Sequence, residues 1–192
     1  MRVLIAAIFS GIVLMMWGFA FWTASPVPQQ FLKSLPDAAN VVAAIRDSGA
    51  ESGVYVYPGS EGMDSSDQAA LEAWQERHRE GPIAHIFLQS EGTEPMAPSV
   101  FLMGYLHFAV SALVAATLLA VVVDKLPSYL ARVAFVAGCG LFAAVVLGLS
   151  DPIWYYHPWG YHLMQASFVV IGWVLAGLVI GAIVRPAKAA TA

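Results

Sequence analysis

Four long apolar runs divide this chain, and polar segments separate them. The runs cover roughly Val3–Phe21, Val100–Val123, Val133–Leu149 and Leu163–Val184. A helix needs roughly 20 apolar residues to cross about 30 Å of hydrocarbon. The pattern therefore predicts four membrane-spanning helices, of which the third is somewhat short.

The boundaries of these runs predict a mainly α fold. We expect a four-helix transmembrane bundle with a small extracytoplasmic α+β insertion between helices 1 and 2. The predicted segments are helix 1 at 1–24, the acidic insertion at 25–97, helix 2 at 98–124, a cytoplasmic loop at 125–132, helix 3 at 133–150, an outer loop at 151–161, helix 4 at 162–185 and a cytoplasmic tail at 186–192.

The first run is predicted to be an uncleaved helix rather than a signal peptide. Its apolar stretch exceeds the 7–15 residues of a typical signal core, and no A-x-A site precedes Pro26. The single cysteine, Cys139, lies within the third run, so no disulfide can form within the chain. We interpret Cys139 as a small packing residue.

Turn and cap signals in the insertion predict the order α-β-α-β. The first helix is expected to begin after Asp37 and to end at Gly49. Gly53–Tyr57 is rich in β-branched and aromatic residues, which predicts a strand. A second helix, capped by Ser65 or Ser66, should run to about Arg79, and a second strand should cover 83–88.

The distribution of charge predicts an orientation in the membrane. Charged residues make up 11% of the chain, against roughly 25% in soluble domains. Residues 25–97 contain eleven acidic and four basic residues, a net charge of −7, which disfavours nucleic acid as a partner. With both termini in the cytoplasm, five basic residues near the spans fall inside, namely Arg2, Lys125, Arg132, Arg185 and Lys188. The positive-inside rule therefore favours an N-in, C-in protein with 25–97 outside.

Small residues recur at every fourth position in the last three spans. They are Ala112, Ala116 and Ala120, then Gly140, Ala144 and Gly148, then Gly177 and Gly181. Such spacing places a flat strip on one helix face, where a neighbouring helix can approach closely. We favour packing within the bundle of one chain, with a homodimer seam as the alternative.

Histidines near the outer ends of the spans are the candidate chemistry. His107 lies about 13 Å along its helix from Pro98, and an ionisable residue at that depth is a functional hypothesis by default. Met103 precedes it by one turn, while His157 and His162 bracket the outer loop. His107, His157, His162 and Met103 are therefore candidate ligands for copper, or for haem, although a neutral, hydrogen-bonded His107 is the structural alternative.

The depths of these residues argue against one particular haem site. His107 and His162 differ in depth by about 10 Å at 1.5 Å per residue, so a direct pair across one haem iron is disfavoured. His157 in the loop is the better partner for His107. The aromatic residues of the 151–161 loop are expected to form an interfacial belt.

Several segments resemble uncharacterised bacterial four-span inner-membrane proteins with a small periplasmic domain. The residues that carry the resemblance are Leu35–Asp37, Gly53–Gly59, His78–Pro82, Pro95–Met96, Gly104–Phe108 and Asp151–Tyr155. The resemblance implies the architecture and a bacterial inner membrane. It implies no activity, cofactor or catalytic residue.

Two functions from different classes remain open. The first is a non-enzymatic accessory or interaction subunit of a membrane complex, with a membrane-protein partner or a second copy of the chain. The second is a metal- or haem-binding protein that uses the outer histidines. The sequence favours the first and favours no cofactor, because it contains no recognisable catalytic set. A lipid-modifying enzyme with His107 or His157 as base is a third option.

Overall fold

The structure is a computed structural model that describes residues 1–64 and 66–186. It divides into two compact units, which we treat separately. The helical unit comprises Met1–Lys33 and the residues from Met96 onward, and the sheet unit comprises Ser34–Pro95. Along the chain, the sheet unit therefore lies between the first and second long helices. Ser65 and Lys188, for which the sequence suggests a cap and a cytoplasmic charge, lie outside the described residues.

The helical unit contains four helices that are long and apolar enough to cross a membrane. They cover Arg2–Ala24, Pro98–Lys125, Tyr129–Trp154 and Trp159–Ile183. Their regular α-helical parts are α1 (Arg2–Phe19), α4 (Pro98–Val122), α5 (Tyr129–Ala143), α6 (Ser150–Trp154) and α7 (Trp159–Ile183). The third span begins before the predicted Val133, because Ser128 caps α5 by accepting a hydrogen bond from the backbone N–H of Ala131.

The helices pack in the order α4, α1, α7 and α5. Small side chains form much of the contact, since Ala112 and Ala116 of α4 and Ala176 of α7 are fully buried. The glycine positions also indicate close packing between helices. A Cβ on Gly177 would meet the carbonyl oxygen and side chain of Val133, and a Cβ on Gly140 would overlap Trp173. These parts of the small-residue strips therefore serve packing within one chain, whereas Ala120 is exposed.

Basic residues gather at the end of the bundle where α1 begins and α7 ends, which we call the basic end. Arg132 is 7% exposed and donates hydrogen bonds to the carbonyl oxygens of Leu126, Pro127 and Gly181. The Arg2 guanidinium donates to the carbonyl oxygen of Arg185 at 3.1 Å. Arginine therefore supplies donors for backbone carbonyl groups of the connection before α5, of the last turn of α7 and of the residues that follow it.

The sheet unit contains α2 (Ala38–Asp47), β1 (Gly53–Tyr57), α3 (Gln68–Glu80) and β2 (Ala84–Leu88). The strands pair antiparallel, with Tyr55 opposite Ile86. This is the predicted order of elements, and β1 has the predicted bounds. Two caps differ from the expectation. Asp37 precedes α2 in a left-handed conformation without capping it, and Asp67 caps α3 in place of Ser66. Asp67 rather than Ser66 caps the helix, because the Ser66 hydroxyl is hydrogen-bonded to Asp64.

Candidate metal centre

Three side chains converge at the end of the bundle opposite to the basic end. They are Asp151 from α6, His157 from the turn that follows it, and His162 from the first turns of α7. One ligand atom from each lies within 4.8 Å of the other two. We call this group the Asp–His–His cluster, and the part of the bundle around it the histidine end.

The backbone explains how residues from three positions meet. A π-helical segment, Ala144–Gly148, separates α5 from α6 within the third span. Tyr156 then adopts a left-handed conformation with φ 58°. The backbone N–H of His157 points back to the carbonyl oxygen of Asp151 at 3.5 Å. The chain therefore folds His157 back over Asp151 before Pro158 leads into α7.

A hydrogen bond to the backbone orients the His162 ring. Its Nδ1 lies 3.1 Å from the carbonyl oxygen of Gly148, at the end of the π-helical segment. Because a carbonyl can only accept, Nδ1 of the neutral ring holds the proton and Nε2 keeps a lone pair. Metal-ligating histidines generally use their other ring nitrogen in this way. The side chain of His162 is 5% exposed, so this orientation is also fixed by packing.

The distances between the ligand atoms fit one ion better than two axial ligands of haem. Nε2 of His162 lies 3.2 Å from Nδ1 of His157, which in turn lies 3.9 Å from a carboxylate oxygen of Asp151. Ligand nitrogens 2.0–2.1 Å from a tetrahedral zinc ion would be about 3.3 Å apart, and nitrogens on opposite sides of an iron would be about 4 Å apart. Asp151 would have to move closer to both rings to become the third ligand.

The other two candidate ligands of the sequence lie elsewhere. His107 is exposed, and its ring contacts Phe108 with a centroid distance of 5.4 Å. The nearby Ser111 hydroxyl donates to the His107 carbonyl oxygen at 2.8 Å. Met103 is 64% exposed on the same helix. Within residues 1–64 and 66–186, His107 does not belong to the Asp–His–His cluster.

His107 also lines a small cavity between helices of the helical unit. The cavity measures about 140 Å³, and Trp17, Ser111 and Trp173 are among its other walls. The structure therefore brings together two of the four candidates, His157 and His162. Asp151 was not among the candidates. The sequence offered one signal for it, since it is one of only two carboxylates outside the acidic insertion.

Comparison with known proteins adds no assignment, because no family model, curated protein or solved structure matches this chain. The argument for function therefore depends on the geometry of the described residues.

Proposed function

We propose that this integral membrane protein binds a divalent transition-metal ion, zinc or copper(II), through Asp151, His157 and His162. One observation carries the proposal: two imidazole nitrogens lie 3.2 Å apart beside a carboxylate, and one of the rings is oriented by a backbone carbonyl. Imidazole and carboxylate ligands suit zinc and copper(II). Three protein ligands would leave a fourth position to water or to a ligand.

Ion binding would require one proton to move. Without an ion, Nδ1–H of His157 donates to Nε2 of His162, since the latter holds the lone pair. Coordination needs the lone pair on both nitrogens, so His157 must change to the tautomer that has its proton on Nε2. Binding should therefore weaken as the pH falls through the range in which imidazoles become protonated.

Titration of purified protein with Zn²⁺ tests the proposal directly, by calorimetry or by competition with a coloured chelator. We expect one ion per chain, and at least about tenfold weaker binding for His157→Gln and for Asp151→Asn. Copper(II) should show nitrogen hyperfine structure in its electron paramagnetic resonance spectrum. Both variants change half-buried positions, which avoids the risk of misfolding at buried His162.

His107→Gln is the matched control, because it removes a membrane histidine outside the cluster. It should bind zinc as the unmodified protein does. Loss of binding in His107→Gln, with binding retained in Asp151→Asn, would favour the ligand set suggested by the sequence. Stoichiometric binding that survives in every variant, or no binding at all, would refute the metal site.

We further propose that the protein lies in a bacterial inner membrane with both termini in the cytoplasm. The histidine end and residues 25–97 would then face the periplasm. Support comes from the basic residues near the spans, since Arg2, Lys125, Arg132 and Arg185 all lie near the basic end. Reporter fusions test this orientation. A periplasmic signal is expected after Ser60 and a cytoplasmic signal after Ser128, and the reverse pattern would overturn it.

The exposed surface of the sheet unit supports a second proposed function, that of an interaction subunit. All five residues of β1 are exposed, and Val54 and Phe87 form an exposed apolar pair across the two strands. A two-stranded sheet is marginally stable alone, so a protein partner is a reasonable stabiliser. A photo-crosslinking residue at Val54 should yield an adduct heavier than one chain in cells, whereas one at exposed Glu72 should not. Identical results at both positions would contradict this role.

A further inference from the structure

Two cavities open beside the first turns of α7, at the histidine end. The first, which we call the head cavity, measures about 460 Å³ and is lined by Gln30, Lys33 and Tyr161 among others. The second, which we call the groove, measures about 340 Å³ and includes Gln165 in its wall. Both volumes lie within the usual range of roughly 300–1,000 Å³ for ligand sites.

A hydrogen bond links one residue of the head cavity to one residue of the groove. The Gln165 amide donates to the Tyr161 hydroxyl with an N–O distance of 2.7 Å. Tyr161 lines the head cavity and Gln165 lines the groove, one helical turn and about 6 Å further along α7. Because the Tyr161 oxygen accepts from Gln165, its own proton remains to be donated to an acceptor in the head cavity.

The two cavities differ in the polar side chains that they add to mainly apolar walls. Apart from Gln165, the groove is lined by apolar side chains and glycine, including Trp22, Leu147 and Phe168. It follows α7 from Gln165 to Val169, opposite Ala143–Gly148 of the antiparallel third span, over about 6 Å. This length suits the first carbon atoms of an alkyl chain that continues into the bilayer.

The head cavity also has a mainly apolar wall, but it adds three polar side chains, those of Gln30, Lys33 and Tyr161. Lys33 contributes a positive charge, and no carboxylate is found among the described residues that line either cavity. Phosphate groups accept hydrogen bonds from lysine, from hydroxyls and from amides, and lysine binds them as a point charge. A cavity with one cation and two further hydrogen-bond donors, next to an apolar groove, matches an anionic headgroup attached to a hydrocarbon chain.

We propose that the head cavity and the groove together hold one anionic phospholipid of the surrounding bilayer. Its phosphate lies by Lys33 and Tyr161, and one acyl chain enters the groove past Gln165. The lipid site is independent of the metal site, because it uses none of the three proposed ligands. It would place a phospholipid headgroup beside the Asp–His–His cluster.

Native mass spectrometry of the full chain in neutral detergent, with a chelator present, tests the lipid site separately from the metal. The probes are phosphatidylglycerol and phosphatidylcholine with the same acyl chains. We expect phosphatidylglycerol to bind more tightly. Lys33→Gln should weaken its binding about fivefold, the effect of one basic residue near a membrane surface. Lys125→Gln, at the basic end, is the matched charge control and should have no effect.

A second pair of variants tests the groove. Ala143 lines it, whereas Ala134 on the same helix is exposed and does not. Ala143→Leu should reduce the bound phosphatidylglycerol, and Ala134→Leu should leave it unchanged. Equal binding of both lipids, equal effects of the two lysine variants, or displacement of the lipid by inorganic phosphate alone would overturn the proposal. Zinc binding that persists in these variants would show that the metal site stands by itself.

Discussion

Adding one methyl group at Gly140 should separate the packed face of the third span from its open face. Gly140 is buried on α5, and a Cβ there would overlap the Cβ and Cγ atoms of Trp173 on α7. Gly138 lies on the same helix with no atom within 4 Å of an added Cβ. Gly140→Ala and Gly138→Ala are therefore the same chemical change in two surroundings.

The expected energies follow from two opposing effects. Alanine is favoured over glycine in a helix by about 1 kcal/mol, and this gain applies at both positions. Overpacking of a filled interface costs about 1–3 kcal/mol. The overlap at Gly140 involves the Trp173 atoms nearest the backbone, which can move least, so we expect the upper part of that range. Gly140→Ala should be destabilised by about 1–2 kcal/mol, and Gly138→Ala should be unchanged or slightly stabilised.

Denaturant unfolding of the purified protein in detergent micelles, followed by tryptophan fluorescence, measures both variants under one condition. The comparison of the two variants matters more than either value, because the helix-propensity gain cancels between them. A Gly140→Ala variant as stable as Gly138→Ala would show that α5 and α7 do not approach as closely as described. The same result would remove the main support for packing of the small-residue strip within one chain.

Four further predictions concern other parts of the chain. Arg132→Met should cost about 3 kcal/mol or more in the same unfolding assay, since three carbonyl groups lose a charged donor. Asp67→Ala should cost about 1 kcal/mol of α3 stability, measured by hydrogen exchange of the α3 amides in the full chain. Residues 26–97 alone should show no cooperative thermal transition, because the two strands are only five residues long and β1 is exposed. The backbone N–H of Ser66, and then its hydroxyl, lower the pKa of Asp64, so NMR should find a midpoint below 3.8. The stabilisation from this turn is present above the ordinary pKa and is lost as the pH falls through the lowered value; a midpoint at or above 3.8 would contradict the described turn.

Periodicity and length predicted the long helices and β1, because these depend on the local composition of the chain. The four apolar runs needed no knowledge of their neighbours, and Gly53–Tyr57 has strand-forming residues bounded by turn residues. The caps were less predictable. Ser66 and Asp67 are both good cap residues, and the choice depends on the bond between Ser66 and Asp64.

The candidate site was only half predictable for a related reason. The rise per residue predicts different depths for His107 and His162, because both lie on regular helices, and the structure does not group them in one cluster. The approach of Asp151 to His157 depends on a left-handed Tyr156, and the orientation of His162 depends on the π-helical segment. Neither irregularity has a reliable signal in the composition of the chain, although π-helical turns are frequent at functional sites.

The two ends of the bundle use their polar side chains in different ways, and this difference is the strongest reason to look for function at one of them. At the basic end, arginine donors are matched to backbone carbonyls, so their hydrogen bonds serve the fold. At the histidine end, Nε2 of His162 points at an imidazole nitrogen of His157 that lies beside a carboxylate. A metal ion could take the place of this hydrogen bond between the two rings without unfolding a helix. Lys33 and Tyr161 line a cavity at the same end. The variants at Asp151 and His157 are therefore predicted to lower metal affinity more than stability, whereas Arg132→Met is predicted to lower stability first.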